Sequence, residues 1–436
     1  MDYFDYDDGD LHCEEIPVDE IVNDVGTPCY VYSRRTYREH LQKLQDAFEH
    51  LDPLLCYSVK ANTNPTILND LKEHGSGFDV VSGGELSVVL DTGVDPKKVF
   101  FSGVGKSKEE LQQAIDAGIL AINVESEQEL DRIEKLAKDS GETPGICIRV
   151  NPDVDPETHR YITTGKKENK FGVDPRTALN MAESALESDH LNFRGLHSHI
   201  GSQITQVEPY KEAVSRNVDL MKKLQELDEG VQLLNMGGGF GIYYKDRKAK
   251  PASAFAEGVT PILEDENINF TIEPGRFIVG NAGILLTEVQ YKKPSANRTF
   301  VICDAGMNHM IRPALYDAYH RIWPAHTDSS VNGRAPNEEK WDGELVQSNV
   351  VGPICETTDF FSQERDLPPV EQGDLLSLFS AGAYGYVMSS HYNLHPRPAE
   401  VLVDGDQYRK ITRREKLEDM TNQFLTDEKW KTSGRD

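Results

Sequence analysis

The residues VFFSGVGKSKEELQQAIDAGILAINVESEQELDRIEKLAKDSGETPGICIRV, Val99 to Val150, alternate two textures. Short apolar runs, Val99 to Ser102, Leu120 to Val124 and Ile146 to Val150, have the length and composition of buried strands. Between them, KSKEELQQAIDAG and SEQELDRIEKLAKDSG carry apolar residues at helical spacing and end at Gly, a common helix stop. Strand alternating with helix predicts a parallel sheet. The same texture continues on both sides, adding Leu54 to Val59, Phe78 to Val81, Phe193 to His197, Val231 to Met236 and Asn269 to Glu273. Eight such runs in order are the number that closes a (β/α)₈ barrel, with an open doubly wound sheet as the alternative. A barrel places its chemistry on the loops that follow the strands.

Beyond Arg276 the texture changes. GILLTEVQY, RTFVICD, VQSNVVG, LLSLFS and AEVLV are strand-like, separated by turns and by a polar insertion around Thr327 to Asp342. The expected division is a barrel over residues 34–280 and a β-rich domain made of 1–33 and 281–436, with PCYVYS returning to pair with the C-terminal strands.

The chain has 436 residues, and 46 Lys and Arg against 73 Asp and Glu give a formal charge of −27. Such a surface repels nucleic acid phosphates and anionic lipid, so nucleic-acid and membrane partners are set aside. With 38 % hydrophobic and 27 % charged residues, the composition is that of a folded globular protein. Six widely spaced cysteines, with no Cys-x-x-Cys pair and no metal-ligand spacing, suit a reducing compartment and no metal. The acidic MDYFDYDDGD lacks an apolar leader, and no apolar stretch approaches the ~18 residues of a span, so a cytoplasmic location is expected.

Lys60 follows the first run directly, in LLCYSVKAN, where a dry wall is expected to lower its pKa and favour an imine-forming amine. Taken alone, a lysine at a strand end is usually just solvated. The runs seven and eight, however, end in NMGGGFG and EPGR, and phosphate sites built from those two loops recur in barrels. Gly237, Gly238 and Gly239 offer close-approaching backbone N–H groups, and Gly275 and Arg276 stand beside them. A lysine imine with a phosphate cradle suggests pyridoxal phosphate. Glu273 is placed to pair with the pyridine nitrogen, which strengthens the cofactor as an electron sink, whereas a racemase gains from suppressing that sink. In GLHSHIGSQ, His199 is placed to stack on the ring and Ser202 to reach the phosphate, with His197 as either a second such residue or a satisfied core histidine. Asp79 and Arg149 end runs two and five as supporting groups near the amine or as a structural ion pair.

YSVKAN, FDVVSGGEL, HSHIGSQ, MGGGFG and EPGR resemble the barrel half of the fold-type III pyridoxal phosphate decarboxylases. HRYITTGKKENKFG, GMNHMIRPALYDAYH, GPICETTDFF and AGAYGYVMSSHYNLHPRPAEVLV resemble the branch acting on meso-diaminopimelate, and the likeness runs from about Gly26 to Val403. The resemblance implies decarboxylation of meso-2,6-diaminopimelate to L-lysine by a homodimer whose active sites are shared across the interface. It assigns Lys60 to the cofactor imine, Glu273 to the ring nitrogen and His199 to ring stacking. Ser202, Gly238, Gly239, Gly275 and Arg276 fall in the phosphate region, with Asp79 beside them among the cofactor contacts. Arg276, Arg312, Tyr316 and Tyr384 become substrate contacts, Tyr384 also touching the cofactor. Cys355 becomes the proton donor and Glu356 the carboxylate for the remote ammonium, both from the neighbouring subunit. The family usually has Asp at His309, Ser-Gly at Thr357 and Thr358, and often Asp at Glu364.

Diaminopimelate carries both an ammonium and a carboxylate at its remote end, so its site needs an anion and a cation there, which Glu356 and an arginine supply. The competing readings are a sister decarboxylase of ornithine, arginine or carboxynorspermidine, and a non-catalytic cofactor-binding barrel. Charge self-repulsion at −27 predicts that the thermal midpoint rises with sodium chloride. A midpoint independent of salt would show that the acidic surface carries no such strain.

Overall fold

The computed structural model describes residues 3–154, 170–245, 249–295, 298–327, 331–334 and 341–425. The eight runs form eight strands: Leu54–Ser58, Gly77–Val80, Val99–Phe101, Ala121–Val124, Gly145–Arg149, Asn192–His197, Leu233–Asn235 and Asn269–Ile272. All are parallel, and the eighth pairs with the first through Thr271 with Leu54 and Ile272 with Leu55. Closure excludes the doubly wound alternative.

The helices form where their caps predict. Ser107 accepts the Glu110 N–H while Glu110 accepts the Ser107 N–H, so the helix Lys108–Ala117 starts on a reciprocal cap. It stops at Gly118, whose left-handed backbone (φ 61°, ψ 39°) would cost another residue about 1 kcal/mol or more. Glu127–Ser140 likewise runs from Ser126 to Gly141.

Side chains two apart on a strand face the same way, and the barrel interior uses that period to change character with height. Its lower layer is apolar, with Cys56, Phe100, Cys147 and Leu233 coming from the odd-numbered strands around Ala121. Two residues further along, the same strands supply Ser58, Ser102, Arg149 and Asn235. The even strands add Asp79, Asn123 and His197, and Glu273 follows the eighth; all eight are buried. An apolar plug thus carries a polar layer at the strands' C-terminal ends.

Cys29–Ser33 lies between Gly283–Ser295, antiparallel to it, and Ala399–Asp404, parallel to it, so the PCYVYS segment does join the C-terminal sheet. The sheet path runs Phe360–Leu367, Val346–Val351, Arg298–Cys303, Gly283–Ser295, Cys29–Ser33, Ala399–Asp404 and Gln407–Thr412. The two end strands escaped the sequence reading because FFSQERDL and QYRKIT are polar edges without an apolar run. A second small sheet holds Gly333–Arg334, Phe4–Asp7, Asp10–Cys13 and Ile16–Pro17. Most of the Thr327 to Asp342 insertion lies outside the described residues, as does most of HRYITTGKKENKFG.

Barrel and sheet meet at Glu400, which is buried. Its carboxyl accepts from Tyr32 Oη (2.7 Å), Thr412 Oγ1 (2.5 Å) and Asn64 Nδ2 (3.0 Å), the last from the residue that caps the barrel helix Pro65–Glu73. Burial pushes this carboxyl above its usual range, against those three donors. Glu400→Ala removes the shared acceptor of all three, leaving Asn64 Nδ2 only its bond to Thr412 Oγ1 (2.9 Å), and a loss of about 3–5 kcal/mol in chemical denaturation is expected. Thr412→Val removes one donor and should lose about 1 kcal/mol. Equal losses would show that Glu400 is not the junction.

Candidate active site

A cavity of about 720 Å³ opens at the C-terminal ends of the barrel strands. Lys60, His199, Ser202, Gly239, Glu273, Gly275, Arg276, Arg312, Tyr316 and Tyr384 all line it, although they come from distant parts of the chain. Asp79 stands behind Lys60, Nζ to Oδ2 being 3.5 Å. Cys355 and Glu356 are not among the lining residues: Cys355 is exposed, and Glu356 accepts from Thr357 N (2.8 Å) and Tyr392 Oη (3.2 Å). His309, one of the departures from the family pattern, is also away from the cavity. It is buried, its Nδ1 accepts from Gly306 N (3.2 Å) and its Nε2 meets the Pro396 carbonyl (3.1 Å).

Lys60 sits on the turn Val59–Ala61 after the first strand. Burial works to lower its pKa, as the sequence suggested, but the carboxylate of Asp79, with Tyr384 and Glu273, outweighs that and the net shift is upward. The sequence expectation is therefore corrected: this chain's own groups hold the amine protonated. A charge on the amine is what keeps Asp79 tolerable, since Asp79 is itself pushed upward by burial and by Glu273. Ser102 Oγ (2.6 Å) and Ser58 Oγ (3.3 Å) donate to Asp79, and Asn123 Nδ2 donates to Ser102 (2.9 Å).

Glu273 is fixed from two sides. Asn235 Nδ2 donates to Oε1 (2.7 Å), and His197 Nε2 lies 3.3 Å from Oε2. Burial holds His197 down to about 3, so it is neutral and donates to the carboxylate as a supporting residue rather than facing the cavity. His199 is also neutral, lowered chiefly by burial, and its Nδ1 accepts from Gly238 N (3.2 Å). Gly237 N donates to Asn235 Oδ1 (2.9 Å). Two of the three glycines thus use their N–H groups to orient neighbouring side chains, and of the three only Gly239 lines the cavity. Its φ is +105°, and a Cβ there would lie 2.4 Å from the Gly201 carbonyl oxygen.

Of the two readings of Arg149, the structure contains an ion pair, and the residue also borders the cavity. It lines the cavity, pairs with Glu125 Oε1 at 2.6 Å and stacks on Phe171 at 4.7 Å. Tyr384 has a left-handed backbone (φ 58°), rare for a non-glycine residue, and its N–H donates to Ala61 O (2.8 Å) beside Lys60. Arg276 packs over its ring at 4.8 Å and donates to Ser202 Oγ (3.1 Å). No motif points to Tyr244, whose hydroxyl accepts from both Arg276 (2.6 Å) and Arg312 (2.9 Å). By contrast, Ser102 and Asn235 could have been found, as polar residues inside apolar strand runs.

The lining carries Lys60, Arg149, Lys170, Arg276 and Arg312 against Glu273 and Asp317, a cationic pocket within a strongly acidic chain. Such a pocket concentrates anions. An amine, a buried carboxylate, a neutral imidazole and a glycine cradle beside Ser202 and Arg276 fit a flat, phosphorylated cofactor with a basic ring nitrogen. Among the described residues no group of three or more His, Cys, Asp or Glu is placed to hold a metal. No helix among them is long and apolar enough to cross a membrane.

Residues 34–280 match the family model for the pyridoxal-binding domain of pyridoxal-dependent decarboxylases. Diaminopimelate decarboxylase of Aquifex aeolicus is 45 % identical over 414 residues, 95 % of either chain. The crystal structure of diaminopimelate decarboxylase from Helicobacter pylori, complexed with L-lysine, superposes with a TM-score of 0.86 at 39 % identity, covering 92 % of this chain and 98 % of that one. The enzyme from M. jannaschii, in co-complex with L-lysine, gives 0.89 at 35 % identity, covering 97 % and 98 %. The chain belongs to the pyridoxal-dependent decarboxylases and, within them, to the diaminopimelate decarboxylases.

Gly239→Ala is expected to displace the loop and lower cofactor affinity about tenfold or more, measured by absorbance titration, because the left-handed backbone and the 2.4 Å approach both oppose a methyl group. Unchanged affinity would remove Gly239 from the cofactor site.

Proposed function

We propose that the protein removes carbon dioxide from meso-2,6-diaminopimelate and releases L-lysine, using pyridoxal 5'-phosphate, as a cytoplasmic homodimer. One observation carries the substrate choice: two buried arginines, Arg276 and Arg312, line the same cavity as Lys60. A remote carboxylate rewards them, whereas ornithine, arginine and carboxynorspermidine present a cationic remote end to them. The proposed division of the chain is a cofactor-binding barrel over residues 34–280 and a β-rich domain of 1–33 with 281–436.

Bound pyridoxal phosphate supplies an electron sink that lets the substrate's α-carboxylate depart. Lys60 is the attachment point, and Glu273, fixed by Asn235 and His197, faces the ring nitrogen. His199, being neutral, covers a ring face without adding a competing charge. Ser202, Gly239, Gly275 and Arg276 receive the phosphate end, with Asp79 setting the charge state of Lys60 and Gly238 orienting His199. Arg312, Arg276, Tyr316 and Tyr384 contact the substrate.

The reaction breaks the bond between the α-carbon and its carboxylate, and a proton must take the place of the departing carbon dioxide. The exposed Cys355 thiol of the partner subunit is the proposed donor, and Glu356 of the partner subunit meets the remote ammonium. Their position outside the cavity of their own chain supports a shared site.

Purified protein reconstituted with pyridoxal phosphate should release carbon dioxide and lysine from meso-diaminopimelate and not act on ornithine, arginine or carboxynorspermidine. Turnover of one of those instead would overturn the substrate, and cofactor binding without turnover of any would favour a binding protein. Lys60→Ala should abolish both the visible absorbance of the bound cofactor and turnover. Cys355→Ala should bind cofactor normally but lose at least about a hundredfold in kcat, the scale of one general acid.

A further inference from the structure

Two guanidinium groups side by side repel one another, and in a half-dry cavity the repulsion is weakly screened. Arg276 and Arg312 are nonetheless both buried and converge on a single atom, the phenol oxygen of Tyr244, at 2.6 and 2.9 Å. A phenol oxygen has two acceptor positions and one donor hydrogen. The two arginines fill both acceptor positions, so the oxygen is the negative end of a dipole set between two like charges. The Arg312 guanidinium also packs 5.3 Å from the Tyr244 ring centroid.

The arrangement is backed from behind. His320 Nδ1 lies 2.9 Å from the Phe379 carbonyl, and its Nε2 lies 3.3 Å from Arg312 Nη1. Burial holds His320 down to about 3, so the ring is neutral, donates from Nδ1 and accepts from Arg312 at Nε2. His320 also meets the Tyr244 ring edge-on, with centroids 5.4 Å apart. Tyr244 comes from the barrel side of the cavity and Arg312 from the β-rich part, so their contact also bridges the two parts of the chain. Tyr244 itself lines the cavity.

We propose that Tyr244 is a positioning residue that holds Arg276 and Arg312 together as one binding element for the substrate's remote carboxylate. The assignment rests on the proposed diaminopimelate substrate and adds what makes its two arginines act as a pair. Without the phenol oxygen, the guanidiniums separate and a carboxylate meets one of them at a time.

Lysine and cadaverine separate this role from general packing, because they share the amines and differ only in the carboxylate. The test compares wild-type holoenzyme with Tyr244→Phe, which keeps the ring. Its KM for meso-diaminopimelate should rise about tenfold or more while kcat stays within about threefold, the pattern of lost binding rather than lost chemistry. Inhibition by lysine should weaken by a similar factor and inhibition by cadaverine should not change. Cofactor absorbance and thermal midpoint serve as folding controls. Arg312→Ala and the double variant should have nearly equal KM values, since Tyr244 acts through the arginines. If the wild type itself fails to prefer lysine over cadaverine, the diaminopimelate reading and this role fall together. If the wild type discriminates and Tyr244→Phe discriminates equally, or if the two substitutions are additive, only the role of Tyr244 is overturned.

Discussion

Burying two carboxylates a short distance apart is costly, and the mouth of this barrel is organised around that cost. Asp79 and Glu273 are both almost wholly removed from solvent, and burial with mutual repulsion pushes Asp79 upward. Left unpaired, each would take up a proton or destabilise the fold by several kcal/mol. The polar layer above the apolar plug supplies the compensation: Lys60, Ser58 and Ser102 for Asp79, Asn235 and His197 for Glu273. Each compensating group is a side chain on a strand or, for Ser102 and Lys60, just past the end of one. The geometry is therefore set by strand register rather than by loop conformation, which makes the floor of the site rigid before any ligand arrives.

The upper wall follows a different rule. Arg312, Tyr316 and Tyr384 come from outside the barrel, on a short helix and a loop with a left-handed tyrosine. The Tyr384 N–H bond to Ala61 O places that loop against the lysine turn, and Glu400 ties the underlying sheet to Asn64 three residues further along the barrel chain. In the proposed function the barrel part holds the cofactor groups, and the sheet part holds most of the groups for the remote end together with the proton donor Cys355. Arg276, which opens the short helix Arg276–Val279 after the eighth strand, belongs to both, with Ser202 on one side and Tyr244 on the other.

How much of this was legible depends on the period that wrote it. The eight strands were readable because a parallel strand buried on both faces is a continuous apolar run, and each lies within two residues of its run. The groups at the strand ends followed from the barrel rule, which says where on a strand chemistry is found. Cys355 and Glu356 had no such rule and needed a family likeness. The direction of the Lys60 shift is not legible in the sequence, because LLCYSV shows the desolvation while the opposing Asp79 charge, 19 residues away, becomes a neighbour only through pairing of the first two strands. A glycine run such as that around Gly238 shows that a backbone approaches something, without saying what. Here Gly238 packs against the Glu273 carbonyl and donates its N–H to His199.

Tyr244 marks the limit of such reading most sharply. Nothing in GIYYKD distinguishes it from its neighbour Tyr243, and its meaning arises only when Arg276 and Arg312, which are 36 residues apart in sequence, converge on one oxygen. A motif encodes contacts between residues near one another in the chain. A bridge between a barrel loop, a strand end and a helix of another domain is encoded by the closure of the fold as a whole. In this chain the chemistry is written locally, at strand ends, and the proposed selection of substrate is written in the contact between domains. Under that proposal, substitutions in the β-rich part change which remote end is accepted while the compensated carboxylates beneath Lys60 remain undisturbed.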